Sequence, residues 1–179
     1  VAGSTHEGEE EKLLTVYKKL KKKFPDLVML LAPRYVERAE SIENLYHENG
    51  IETIRRTEID NRDPVKQSVI IINTIGELAA LYGIADLVFV GGSLIDRGGH
   101  NILEPAAQGK LTFFGDYMYN FKRDTDFILK HEAGIQIENS EELTRQMEYY
   151  FSHPGELQEK GKKAKKVIEK NQGAVKRNL

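Results

Sequence analysis

The chain has 179 residues, 40% of them apolar and 30% charged, with a formal net charge of -2 and no cysteine. That composition is ordinary for one globular domain with a single core, and it excludes a disulfide framework and a thiolate metal site. No apolar stretch nears the roughly 20 residues that cross a bilayer and no signal peptide opens the chain, so a cytoplasmic protein is the expectation.

In chain order, "VAG" reads as the tail of a strand. Opening in a strand on Val1, without a methionine, it reads as a piece of a longer protein. A helix is expected from about Glu7 to Phe24, where Leu13, Leu14, Tyr17 and Leu20 recur at helical spacing. Pro25-Asp26 stops it. The run "LVMLLA" is apolar throughout, as strands buried on both faces of a parallel sheet are. The helix "VERAESIENLYHENG" should end on Gly50, the residue type that most easily takes the left-handed conformation past a helix end. "IETI" and "VIIIN" read as short strands, "GELAALYGIA" as a helix, "DLVFV" as a strand, "PAAQG" as a short helix and "LTFFG" as a strand. Helices over "FKRDTDFILKHEAG" and "SEELTRQMEYYFSHP" flank a short strand at "GIQIE". Residues 154–179 form a basic terminal helix: from Lys160 on, eight Lys or Arg stand against Glu169 alone, a local +7 that leaves -9 on the rest. An acidic body with a cationic tail does not fit a nucleic-acid binder, which needs its basic face on the folded domain. The tail suits a solvated helix or a peripheral contact with anionic membrane.

Strands alternating with helices predict an α/β fold, a Rossmann-like and mainly parallel sheet with helices on both faces, in one domain over 1–179. Ligands of such sheets bind at the carboxyl ends of strands, where helices begin. Three junctions qualify. In "GSTHEGEE", Ser4 and Glu7 have the spacing of a capping box, and Ser4, Thr5 and the first helical amides could face an anion. Arg34 follows the second strand directly and carries the side chain best suited to a phosphate. In "GGSLIDRGGHNILEP" the glycine pairs let the backbone approach a ligand, so Gly98, Gly99, His100 and Asn101 are expected to cradle a phosphate with their amides. Pro105 favours the first helical position, which would leave Glu104 as a poor cap and free to accept hydrogen bonds from two ribose hydroxyls.

Other chemistries lack their signatures. The five histidines show no HExxH or paired spacing, which argues against a metal site. GxSxG, GxxxxGK[ST] and, after the first strand, GxGxxG are absent. The residues themselves therefore lead to a nucleotide or nucleotide-sugar site at the sheet ends.

"AGSTHEGEE", "PRYVER", "NTIGELAALYGIADLVFVGGSL", "RGGHNILEPAAQGK", "FGDYMYNF" and "NQGA", in that order, resemble the successive motifs of the 3-deoxy-D-manno-octulosonic acid (Kdo) transferases of lipopolysaccharide synthesis. The resemblance implies the carboxyl-terminal, donor-binding half of a GT-B glycosyltransferase. Such an enzyme moves Kdo from CMP-Kdo to a lipid A precursor at the cytoplasmic face of the bacterial inner membrane, with inversion and with no metal or other cofactor. The base and the acceptor site would lie in an amino-terminal domain. Carried over by position, Ser4 and Thr5 lie near the phosphate or sugar acid, Arg34 binds the phosphate, and the backbone of Ile75, Gly76 and Glu77 reads cytosine. Gly99, His100 and Asn101 meet the phosphate side, and Glu104 the ribose. At "GKLTFFGDY" the chain departs from the family, with Lys110-Leu111 and Asp116 where a proline-containing strand entry and "FGP" are usual. A UDP-sugar-binding GT-B domain and a non-catalytic nucleotide-binding module are the competing readings.

Overall fold

The computed structural model describes residues 1–59 and 66–177, with side chains through residue 171. Its strands are β1 (Ala2–Thr5), β2 (Met29–Pro33), β3 (Thr53–Arg55), β4 (Val69–Ile71), β5 (Leu87–Val90), β6 (Leu111–Phe114) and β7 (Ile135–Gln136). They form one sheet in the order β3-β4-β2-β1-β5-β6-β7, and every pairing is parallel. The helices are α1 (Glu10–Lys23), α2 (Ala39–Glu48), α3 (Leu78–Ile84), α4 (Leu103–Ala107), α5 (Lys122–Lys130), α6 (Ser140–Ser152) and α7 (Pro154–Arg177).

Strand alternation sorts the core into two layers. Leu87 and Phe89 of β5 and Phe113 of β6 face one way, toward Leu13, Tyr17 and Leu20 of α1, Ile42 and Tyr46 of α2 and Leu143 of α6. Val88, Val90 and Phe114 face the other, toward Tyr82 of α3, Ile102 and Ala106 at α4, Ile128 of α5 and Ala164 and Ile168 of α7. Phe89, Phe113 and Phe114 are wholly buried, worth about 1.5–3 kcal/mol each. Both layers end on the same edge of the sheet, where the strands deliver their carboxyl ends.

Several boundaries differ from the sequence reading, each for a local reason. α1 starts at Glu10, three residues late, because Ser4 takes φ 57° where β1 shifts register against β2, and the chain then makes a turn before the helix. The expected Ser4–Glu7 capping box does not form. α4 starts at Leu103 instead of Pro105, which places Glu104 inside the first turn. Ile102 stands at the N-cap without a side-chain cap bond, and the preceding Asn101 accepts from the Leu103 amide on Oδ1 at 3.0 Å. Gly50, at φ 75°, ends α2 as expected. Gly161 of α7 packs against the backbone of Gly109, just past α4, so the basic helix lies on the sheet through its small and apolar side while Lys162, Lys163, Lys165, Lys166 and Lys170 stay exposed.

Candidate functional site

Three strand ends build a cleft of about 390 Å³, lined by His6 and Glu7 after β1, Arg34, Tyr35 and Arg38 after β2, Arg97, Gly99 and His100 from the glycine-rich loop after β5, and Asn120 and Phe121. The Arg34 amide donates to Thr5 O at 2.9 Å, and this bond carries the end of β2 to the end of β1. Arg38 pairs with Glu10 at 2.8 Å; Arg34 and Arg97 have no carboxylate partner among the described residues. Three guanidinium groups around a concave, partly desolvated space make an anion site, since the fork geometry suits phosphate and carboxylate oxygens.

Two histidines share the floor. Their Nε2 atoms lie 2.8 Å apart, with rings parallel within 4°. Burial, then Arg97, Arg38 and Arg34, hold His6 below the ordinary imidazole range. Burial, then His6 and Arg34, lower His100 to about 4. The pair is neutral at pH 7, so the positive charge of the cleft comes from its arginines.

The glycine-rich loop is held differently from the expected amide cradle. Glu9, fully buried, accepts from the amides of Gly92 (2.7 Å) and His6 (3.1 Å) on Oε2 and from Ser93 and Leu94 (both 3.0 Å) on Oε1. Burial pushes its carboxyl above the usual range, and the four amides oppose that shift. Gly99 donates to Gly92 O at 2.7 Å. The loop's anion hole is thus filled by a carboxylate of the chain itself. Among the described residues the His100 and Asn101 amides have no protein acceptor, which leaves them available to a ligand. Gly91 is a glycine because a Cβ there would stand 2.5 Å from Ser4 O.

Of the residues singled out by sequence, the cleft unites Arg34, Gly99 and His100, with Asn101 next in the chain and exposed. Ser4 is half-buried at the turn beneath. Thr5 is fully buried, and its hydroxyl donates to Glu10 Oε1 at 3.0 Å, so it supports the Arg38–Glu10 pair from below. Ile75, Gly76, Glu77 and Glu104 form a second group, at the starts of α3 and α4. These two helices pack together, and Gln108 Nε2 bonds Ala79 O at 2.9 Å. Ile75 is 86% exposed, Glu77 is tied by Thr74 Oγ1 at 2.6 Å and Arg56 at 3.4 Å, and Glu104 is exposed. His6, Glu9, Arg38 and Arg97 were missed. All four stood inside quoted motifs, His6 and Glu9 in "GSTHEGEE", Arg38 in "PRYVER" and Arg97 in "GGSLIDRGGHNILEP", where their charge and position were the available signal.

No family model matches the chain. A bifunctional glycosyltransferase/methyltransferase of Fusobacterium nucleatum is 39% identical over 149 residues, 83% of this chain and 23% of that protein. The 3-deoxy-D-manno-octulosonic acid transferase of Haemophilus influenzae is 33% identical over 182 aligned residues, 100% of this chain and 42% of that protein. The chain therefore spans less than half the length of these relatives. Among solved structures, the C-terminal CMP-Kdo binding domain of WaaA from Acinetobacter baumannii matches with a TM-score of 0.85 and 26% identity, over 93% of this chain and 86% of that one.

Proposed function

The chain belongs to the 3-deoxy-D-manno-octulosonic acid transferase family, and from that premise we propose that it binds CMP-Kdo as the donor domain of a GT-B glycosyltransferase. The observation that carries the proposal is the arginine-lined cleft at the carboxyl ends of β1, β2 and β5. CMP-Kdo brings a phosphodiester and a sugar carboxylate, two anions that such a cleft suits.

Arg34 binds the phosphate together with the free amides of His100 and Asn101, and Gly99 lets the donor approach the loop. Ser4 borders the sugar acid; Thr5 acts through Glu10 and Arg38. The backbone of Ile75, Gly76 and Glu77 reads the cytosine edge, and Glu104, one helix away, accepts from the ribose hydroxyls. Fixed cations and amides offset the charge that develops on the CMP leaving group, a preorganised stabilisation that asks for no metal. Kdo passes with inversion to a lipid A precursor, held with the base by the part of the enzyme that this chain does not span.

Calorimetric titration with CMP, UMP and UDP tests the assignment. CMP is expected to bind best; tighter binding of UDP would make this a UDP-sugar domain, and no nucleotide binding would leave a non-catalytic module. Glu104→Gln should weaken CMP by about 1–3 kcal/mol, since a hydrogen bond to a charged acceptor is worth about that much. Equal affinity of wild type and variant for CMP, with the fold intact, would remove Glu104 from the site.

The exposed lysines of α7 are placed for peripheral contact with anionic lipid at the inner membrane's cytoplasmic face, at up to about 1 kcal/mol for each basic residue near the surface. No described helix is long and apolar enough to cross a membrane. Sedimentation with anionic vesicles at low salt should pull the chain down and high salt should release it. Indifference to anionic vesicles would leave α7 as a solvated or interdomain helix.

A further inference from the structure

Two neutral imidazoles stand among three arginines, and their geometry sets what they can do. In the 2.8 Å Nε2–Nε2 contact one ring donates and the other accepts. The donor ring then has a bare Nδ1, which can take one more proton while the N–H···N bond survives. A second proton would set two N–H groups against each other, so the pair has room for one. Its seat is built: His100 lies on the bare Cα of Gly92, where a Cβ would come within 3.0 Å of its ring, and His6 meets the Tyr35 ring edge-on at 5.8 Å between centroids.

Burial first, and then the charges around the pair, keep it neutral, and a charge of opposite sign would end that. Glu7 and Glu9 come from its own loop, Arg34, Tyr35 and Arg38 from the end of β2, and Arg97 from the glycine-rich loop. Glu9 is engaged by four amides, and the field at His6 is that of Arg97, Arg38 and Arg34. An entering phosphate dianion reverses that field, and each opposite charge within about 4–6 Å raises an imidazole pKa by about 1–3.

We propose that the His6–His100 pair is a protonatable part of the phosphate subsite and takes up one proton when a phosphate monoester dianion binds, an inference that rests on the assignment of this cleft to a nucleotide phosphate. The charge count gives it a purpose. A nucleotide sugar's phosphodiester carries one negative charge, whereas the monoester left after transfer carries close to two at pH 7, its second pKa being about 6. One added proton lets the subsite follow that change.

The sign of proton exchange tests it. Arginines alone would lower the phosphate's own pKa and so release a fraction of a proton; uptake reports the imidazoles. Calorimetry of CMP binding to this chain at pH 7, in two buffers of different ionisation enthalpy, should give an uptake of about 0.5–1 proton, with none for cytidine. The double variant His6→Gln, His100→Gln should bind CMP about tenfold more weakly at pH 7, the size of one charge-assisted hydrogen bond, and without uptake. Methyl phosphate, a monoester without the nucleoside, is the second probe. Uptake with methyl phosphate while CMP binds no better than methyl phosphate would uphold the pair and overturn the cytidine assignment. CMP binding in wild type with zero uptake or with release would overturn the pair and leave that assignment standing. Failure of both probes to bind would overturn both.

Discussion

Glu9→Gln is expected to destabilise the chain by about 2–6 kcal/mol, because two buried amides lose their acceptor and each such loss costs about 1–3 kcal/mol. The substitution is nearly isosteric, so packing does not confound it. Four N–H donors converge on the two oxygens of Glu9, from Gly92 and His6 on one and Ser93 and Leu94 on the other. Those donors occupy the lone pairs in the plane and favour the carboxylate, against a burial that raises its pKa above the usual range. A carboxamide must turn its NH2 toward two of the donors. Urea unfolding should show a lower midpoint with an unchanged slope. A shift under about 0.5 kcal/mol, within the range of ordinary surface changes, would mean that the loop keeps its shape without the carboxylate.

Arg34→Ala should lower CMP affinity by about tenfold to a hundredfold, and Arg34→Lys should restore only part of it, because an ammonium keeps the charge and loses the two-pronged contact. The Arg34 amide is bonded to Thr5 O whatever the side chain, so the strand end stays in place and the change isolates the guanidinium. Titration with CMP checks both variants. Full affinity in Arg34→Lys would reduce the requirement to a point charge; full affinity in Arg34→Ala would make Arg34 a surface residue and shift the phosphate toward Arg97.

The architecture was legible because its signals are local. Apolar runs such as "DLVFV" must be buried on both faces, and the helix-period segments between them supply the long crossovers that parallel pairing needs, so a parallel α/β sheet follows. What escaped was set by contacts between distant segments. Glu9 looks like one more acidic residue at the start of a helix, and nothing nearby says that three of its four partners are 83 to 85 positions later. His6 and Arg97 were in view within quoted motifs, yet only the meeting of β1 with β5 makes them neighbours. Glu104 was assigned outside α4 because Pro105 favours a first position. The helix starts two residues earlier than that rule would have it, at Leu103, whose amide bonds the Asn101 side chain.

The margins of the sheet have a consequence for how the chain behaves in concentrated solution. β3 and β7, its outermost strands, are three and two residues long. Such stubs offer another chain almost no ladder to extend, while the apolar strands β2, β5 and β6, of four or five residues, sit inside with both sides already paired. The finished fold is therefore shielded against edge-to-edge growth. The exposed period is the time before assembly, when parallel pairing must wait for each crossover to close and strands such as β5 and β6 are still unpartnered. Aggregation should accordingly rise during refolding from denaturant and stay low when the folded chain is simply concentrated.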